Sequence, residues 1–209
     1  MFTDPLYWIA DASLAGGRPL DVLARDALAA GLRVFQYREK VLSSRERYPV
    51  AMALAAAARE AGATFLINDD IDMALAVEAD GVHLGQEDFP VATARKILGS
   101  TMIIGCSAHT VDQARAAEAE GADYLGVGPI YSSATKMARP PLGCGPLREI
   151  CAAVRIPVYA VGGITVERCH EVLAAGAKGV AVASGLVAPD IATQTKAYLA
   201  ALGVGRTQV

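Results

Sequence analysis

Val158-Tyr-Ala-Val-Gly162-Gly163-Ile164 and Gly179-Val-Ala-Val-Ala-Ser184-Gly185 lie one short helical pattern apart, and each is an apolar run that reaches glycine. Upstream, a helical run closing on glycine and followed at once by an apolar strand recurs as Ala30-Gly31-Leu32, Ala61-Gly62-Ala63, Glu120-Gly121-Ala122 and Ala175-Gly176-Ala177. Each of these glycines reads as a left-handed helix cap. The apolar runs are short, nearly continuous and bounded by turn residues, as strands covered on both faces should be. Eight are expected: Leu6 to Ala10, Arg33 to Tyr37, Thr64 to Ile67, Gly81 to Leu84, Thr101 to Cys106, Ala122 to Val127, Pro157 to Val161 and Gly179 to Ala183. Helices fit between them. Ser43-Ser44-Arg45-Glu46 and Thr110-Val111-Asp112-Gln113 match capping boxes, and Thr165 can cap the helix that runs to Gly176. Alternating strands and helices imply a parallel sheet, and eight units imply an α/β fold of the (β/α)8 TIM barrel type. The 209 residues sit at the short end for that fold, so residues 1–209 are expected to form a single barrel domain.

The composition, 53% hydrophobic and 20% charged, agrees with one soluble domain that builds a large core. No apolar run reaches membrane-spanning length. The N-terminus Met1-Phe-Thr-Asp-Pro lacks both the basic and the apolar segment of a signal peptide, so a cytoplasmic location is expected. Cys106, Cys144, Cys151 and Cys169 show no C-x-x-C spacing and fit buried free thiols in a reducing compartment. A net charge of -3 argues against nonspecific nucleic-acid binding. Any cationic site must therefore be local.

Such a site is expected at the rim where the strands end. Gln36, Arg38 and Lys40 alternate on an extended segment and so point the same way. A planar guanidinium beside a point charge suits a diphosphate; a solvated loop with charges of both signs is the alternative. The next two strands end in Asn68-Asp69-Asp70 and in Gly85-Gln86-Glu87-Asp88. Asp69 and Asp88, beside Asn68 and without cysteine, suit a hard ion such as Mg2+ that keeps waters and bridges to substrate phosphates. Helix capping competes for these carboxylates and is preferred for Asp70 and Asp72. His83 and His109 read as packed, hydrogen-bonded residues. The longest connection follows the sixth strand, running from Gly128 through Ser133, Thr135 and Lys136 to Gly145. It reads as a lid whose hydroxyls and lysine are phosphate donors. Gly162-Gly163 and Ser184-Gly185 close the rim as a phosphate cup, since loops after the last two strands of such barrels commonly bind phosphate. Ordinary strand-to-helix turns would account for the same glycines.

Taken in order, Gln36-x-Arg38-x-Lys40, Asn68-Asp69, Ala79-Asp80-Gly81-Val82-His83-Leu84-Gly85-Gln86-Glu87-Asp88, Gly105-Cys-Ser107-Ala-His-Thr110, Gly126-Val-Gly128-Pro-Ile-Tyr131, Thr135-Lys136 and Gly162-Gly163-Ile164 closely resemble thiamine-phosphate synthase over nearly the whole chain. The resemblance implies a (β/α)8 barrel that joins 4-amino-2-methyl-5-hydroxymethylpyrimidine diphosphate to 4-methyl-5-hydroxyethylthiazole phosphate, giving thiamine phosphate and diphosphate. Carried over by position, it implies that Gln36, Arg38, Lys40, Asn68, Ser107 and Lys136 hold the pyrimidine diphosphate, with Arg38, Lys40 and Lys136 assisting departure of the diphosphate. Asp69 and Asp88 would hold Mg2+, and Ser133, Thr135, Gly163, Ala183 and Ser184 would hold the thiazole phosphate. Ala10, Ser133 and Ala183 depart mildly from the pattern, and 137–145 matches less well. The partners implied are small phosphorylated substrates, for a monomer or homodimer. A convergence of cations on one diphosphate, with no nucleophile and base pair in view, favours leaving-group departure. A thiazole tautomerase on the same barrel, which should lack much of the metal and diphosphate set, is the runner-up; a noncatalytic barrel binding a phosphorylated metabolite follows it.

Overall fold

At the end of the second long helix, Gly62 takes φ 61 and ψ 36, a left-handed turn in which its N–H reaches back to the carbonyls of Ala58 and Arg59 and the chain reverses into a strand. Gly31, Gly121 and Gly176 also take positive φ at the corresponding places, so the repeat in the sequence is a repeat of one connection. The computed structural model describes residues 4–132 and 140–204. Among them, β1 (Leu6–Asp11), β2 (Val34–Arg38), β3 (Thr64–Asn68), β4 (Gly81–Leu84), β5 (Ile103–Ala108), β6 (Tyr124–Val127), β7 (Val158–Val161) and β8 (Gly179–Val182) pair in parallel and in sequence order into a closed barrel. Around it run α1 (Leu20–Ala29), α2 (Ser44–Ala61), α3 (Ile71–Ala76), α4 (Val91–Leu98), α5 (Val111–Ala119), α6 (Cys144–Ala153), α7 (Cys169–Ala174) and α8 (Ile191–Ala201). No helix of the described residues is long and apolar enough to cross a membrane.

Alternation along the strands divides the apolar residues into two cores. Trp8, Phe35, Phe65, Val82, Leu84, Leu125 and Val180 pack with the buried faces of the helices. Alanines such as Ala24, Ala27, Ala51, Ala55 and Ala58 bring those helices close to the sheet. Tyr7, Val34, Leu66, Tyr124, Tyr159 and Ala181 form the second, smaller cluster, inside the barrel.

The ends of the elements differ from the sequence reading in instructive ways. Both β5 and β6 start two residues later than expected. Ala122 N–H still closes the end of α5 on the Ala117 carbonyl. Asp123 then turns its carboxylate onto the Ile104 N–H at 2.8 Å and the Arg95 guanidinium at 2.6 Å, so the ladder begins at Tyr124. Met102 is held in the preceding turn by Arg95 at 2.6 Å. The capping box at Ser43 and Glu46 forms as expected. At Thr110 the hydroxyl accepts the Gln113 N–H, while the Gln113 side chain takes the N–H of His109 rather than that of the cap residue. Thr165 makes no capping bond, because a short 3-10 turn over Val166–Arg168 comes between it and α7. All four cysteines are free thiols, Cys106 and Cys169 buried, Cys144 and Cys151 half-buried.

Asp123 ties the start of β5 to the helix before it with charge-assisted bonds. Asp123→Ala is expected to destabilise the barrel by about 1–3 kcal/mol, read as a lower urea midpoint with an unchanged slope.

Candidate active site

The rim at the C-terminal strand ends is built around Asp69, a non-glycine residue at φ 65. That conformation is unfavourable for most side chains but tolerated by Asp and Asn. Two backbone bonds impose it: Asp69 N–H to the His83 carbonyl at 2.9 Å and Asp70 N–H to the Asn68 carbonyl at 2.8 Å. The turn aims the carboxylate across the rim. There Asp69 Oδ2 accepts from Asn68 Nδ2 at 2.6 Å and from the Lys40 ammonium. Asp88 comes from the loop after β4, where its Oδ2 accepts the Gly85 N–H at 2.6 Å, and it hydrogen-bonds to Asp69. Burial pushes Asp69 up, but the bonds from Lys40 and Asp88 outweigh it and hold its carboxyl below the usual carboxylate range. Burial and then the adjoining Asp69 carboxylate raise Asp88, against the opposing Gly85 N–H. The two adjoining carboxyl groups are thus pushed in opposite directions, Asp69 down and Asp88 up. A pair of adjoining carboxylate oxygen donors suits a hard divalent ion. No group of three or more His, Cys, Asp or Glu that could hold a metal occurs among the described residues.

Gln36 and Arg38 point into the barrel mouth from β2, with Lys40 just beyond the strand. Each cation meets a carboxylate. Arg38 pairs with Asp11 at the end of β1, which faces it in register, and Lys40 with Asp69. Asp11 is only 6% exposed, and its other oxygen accepts the N–H and hydroxyl of Ser13 at 3.0 and 2.6 Å. Asp70 stands at the start of α3 but makes no side-chain capping bond; its carboxylate takes Arg47 instead, and Asp72 accepts the adjacent Met73 N–H at 2.9 Å. The capping expected for these two acids therefore gives way to an ion pair and a local contact. Ser107 on β5 bonds His83 Nε2 at 3.0 Å, and His109 Nδ1 bonds the Gly128 carbonyl at 2.7 Å. Both histidines are hydrogen-bonded, as expected.

The structure shows a packing role for the glycines of the expected cup. A Cβ on Gly163, at φ 63, would lie 2.7 Å from the Ser132 carbonyl and 2.8 Å from the Tyr131 Cβ; on Gly185 it would lie 2.5 Å from the Tyr198 hydroxyl. These glycines let the loops after β6, β7 and β8 pack on one another. Ala183 and Ser184 sit in the turn after β8, closed by Leu186 N–H to the Ala183 carbonyl at 3.2 Å. Arg168 bonds the Gly163 carbonyl at 2.7 Å and lies over the Tyr131 ring at 4.3 Å. Burial and the bond to Glu171, 2.5 Å away, raise the Tyr131 phenol. Ser133, Thr135 and Lys136 lie outside the described residues.

Sequence reasoning passed over Asp11, Arg168, Tyr7 and Tyr124. A carboxylate ending an apolar strand signals Asp11; Tyr7 and Tyr124, each in an apolar run, read as core, and nothing in the local sequence marks Arg168.

The fold and this rim define a (β/α)8-barrel enzyme. A family model described as thiamine monophosphate synthase matches residues 6–186. The thiamine-phosphate synthase of Moorella thermoacetica is 49% identical over 193 residues, covering 91% of this chain and 92% of the relative. That of Chloroflexus aurantiacus is 45% identical over 198 residues, covering 94% and 91%. The solved thiamine phosphate pyrophosphorylase from Pyrococcus furiosus superposes with a TM-score of 0.88 at 37% identity, covering 96% of both chains. The chain belongs to the thiamine monophosphate synthase family.

Asp11 holds Arg38 by one oxygen and the turn after β1 by the other. Asp11→Ala leaves the partly buried Arg38 without its carboxylate and is expected to destabilise the fold by about 1–3 kcal/mol, read as a lower urea midpoint.

Proposed function

We propose that this chain carries out the reaction of its family, the joining of a hydroxymethylpyrimidine diphosphate to a thiazole phosphate, with Arg38, Lys40 and Lys136 on the departing diphosphate. The observation that carries this reading is the juxtaposition of the Asp69 and Asp88 carboxylates with Lys40 and, one strand over, Arg38 on its buried Asp11. A phosphate-isomerising barrel has no need of a carboxylate pair beside two cations. The thiazole tautomerase reading is weakened by the presence of Asn68, Asp69 and Asp88 together.

In this reading the C–O bond to the pyrimidine methylene breaks, and its electron pair leaves on the diphosphate. The electron-rich aminopyrimidine stabilises the cation that remains, and the thiazole nitrogen then supplies the pair for the new C–N bond. No side chain must act as nucleophile. Arg38 offers a fork for two oxygens and Lys40 a point charge. Gln36, Asn68 and Ser107 orient the pyrimidine diphosphate, while Gly163, Ala183 and Ser184, with Ser133 and Thr135, receive the thiazole phosphate. Asp69 and Asp88 would hold Mg2+, which would supply further neutralisation of the leaving group.

Asp69→Asn keeps a residue type that accepts the left-handed backbone and removes only the charge. It is expected to leave the melting temperature within a few degrees while lowering kcat roughly 100-fold or more, measured as thiamine phosphate formed from both substrates with Mg2+. Full turnover in excess chelator would overturn the metal assignment.

A further inference from the structure

Three polar side chains sit in the barrel interior below the rim, among Val34, Leu66 and Ala181. Tyr7 and Tyr124 are 1% and 2% exposed, and His83 is 9% exposed. Buried polar groups of this kind are costly unless partnered. Here they bond in a line that joins two residues of the proposed pyrimidine site. Gln36 Nε2 lies 2.6 Å from the Tyr7 hydroxyl, which lies 2.9 Å from that of Tyr124. The Tyr124 hydroxyl lies 2.8 Å from His83 Nδ1, and His83 Nε2 lies 3.0 Å from Ser107 Oγ. The sheet gives up side chains to house this line. A Cβ on Gly105 would stand 2.1 Å from Tyr124 Cζ, and one on Gly126 would stand 2.9 Å from His83 Cε1. Glycine inside a strand weakens it and marks a close approach.

We propose that Tyr7, Tyr124 and His83 are positioning residues that fix which face of the Gln36 amide meets the pyrimidine, and so make the enzyme select an amino-bearing pyrimidine over its oxo counterpart. The proposal rests on the reaction assigned above. Each hydroxyl carries one proton, and a shared direction lets every hydroxyl donate to the next group of the line. With Gln36 Nε2 donating to Tyr7, Tyr7 donates to Tyr124 and Tyr124 to His83 Nδ1. His83 is then a neutral imidazole with its proton on Nε2, donated to Ser107, whose own O–H points onward. At the other end Gln36 Oε1 is buried without a hydrogen-bond partner among the described residues. It is the acceptor that an amino N–H of a ligand would satisfy.

A diphosphate offers acceptors only, so at the Ser107 end it demands a donor and sets the direction of the whole line. Gln36 must then present its carbonyl. An oxo substituent would need the amide turned over, which reverses all four bonds, moves the His83 proton to Nδ1 and deprives the diphosphate of the Ser107 donor. A lone amide could turn at little cost. A site built to bond a particular donor rejects the analogue lacking it strongly, and the line makes this amide such a site.

Two measurements test this. In 15N-labelled protein with inorganic diphosphate and Mg2+, His83 should show the Nε2–H tautomer; a proton on Nδ1 would overturn the direction. In kinetics, the ratio of kcat/KM for the 4-amino over the 4-oxo pyrimidine diphosphate should fall tenfold or more in Tyr124→Phe, with KM for the thiazole phosphate unchanged. Tyr159→Phe should keep the wild-type ratio, because the Tyr159 hydroxyl bonds the Asp4 carbonyl at 2.9 Å instead. An unchanged ratio in Tyr124→Phe would show that the line is only structural. If Tyr124→Phe does not fold, Tyr7→Phe cuts the same line and is read the same way. Failure of the wild type to form thiamine phosphate would refute the assigned reaction, and the tautomer would still report on the line.

Discussion

Every side chain that points into the closed barrel leaves water, and each polar one must find its partner inside. This constraint orders the whole molecule. Toward the floor the interior is met with apolar groups and with tyrosines stacked edge to face, such as Tyr7 and Tyr159 with ring centres 5.9 Å apart. Higher up, where Gln36, His83 and Ser107 point inward, hydrogen bonds run from one to the next. Only at the rim, where water returns, do full charges appear. The vertical gradient from apolar to polar to charged lets one barrel be both a stable core and a binding site.

The rim charges are balanced before any ligand arrives. Arg38 has Asp11, Lys40 has Asp69 and Arg47 has Asp70. Partly buried ions need such compensation, because desolvation of an unpaired one costs several kcal/mol. The pairing also differs in kind. Asp11 is more deeply buried than Arg38 and is committed by its second oxygen to the turn after β1, so it is an anchor. Asp69 is shared among Lys40, Asn68 and Asp88, so its bonds can be redistributed when a cation and a polyanion enter.

The glycines show how one residue type serves separate ends. Gly62 supplies a backbone conformation, Gly105 and Gly126 supply space for a ring, and Gly163 supplies both for a neighbouring loop. Spacing in the sequence distinguishes the first use, because it repeats. The others depend on what lies opposite across the sheet, where the residues in contact are far apart in the chain.

The fold was legible in the sequence because its signals are local: a helix cap, then an apolar run short enough to be a strand, repeated until the only closed solution is an eight-stranded barrel. Strand alternation likewise placed Gln36 and Arg38 on one side, and the strand ends placed Asp69 and Asp88 on one rim. Tertiary structure alone decided what those groups touch. Asp11 pairs with Arg38 because two strands meet in register, Asp70 leaves its helix for Arg47 because α2 passes nearby, and Tyr7 and Tyr124 join Gln36 to Ser107 although 117 positions separate the two tyrosines. Local sequence sets backbone conformation and the face a residue occupies. The partner it finds on that face is fixed only by closure of the barrel, which brings distant strands within hydrogen-bond reach.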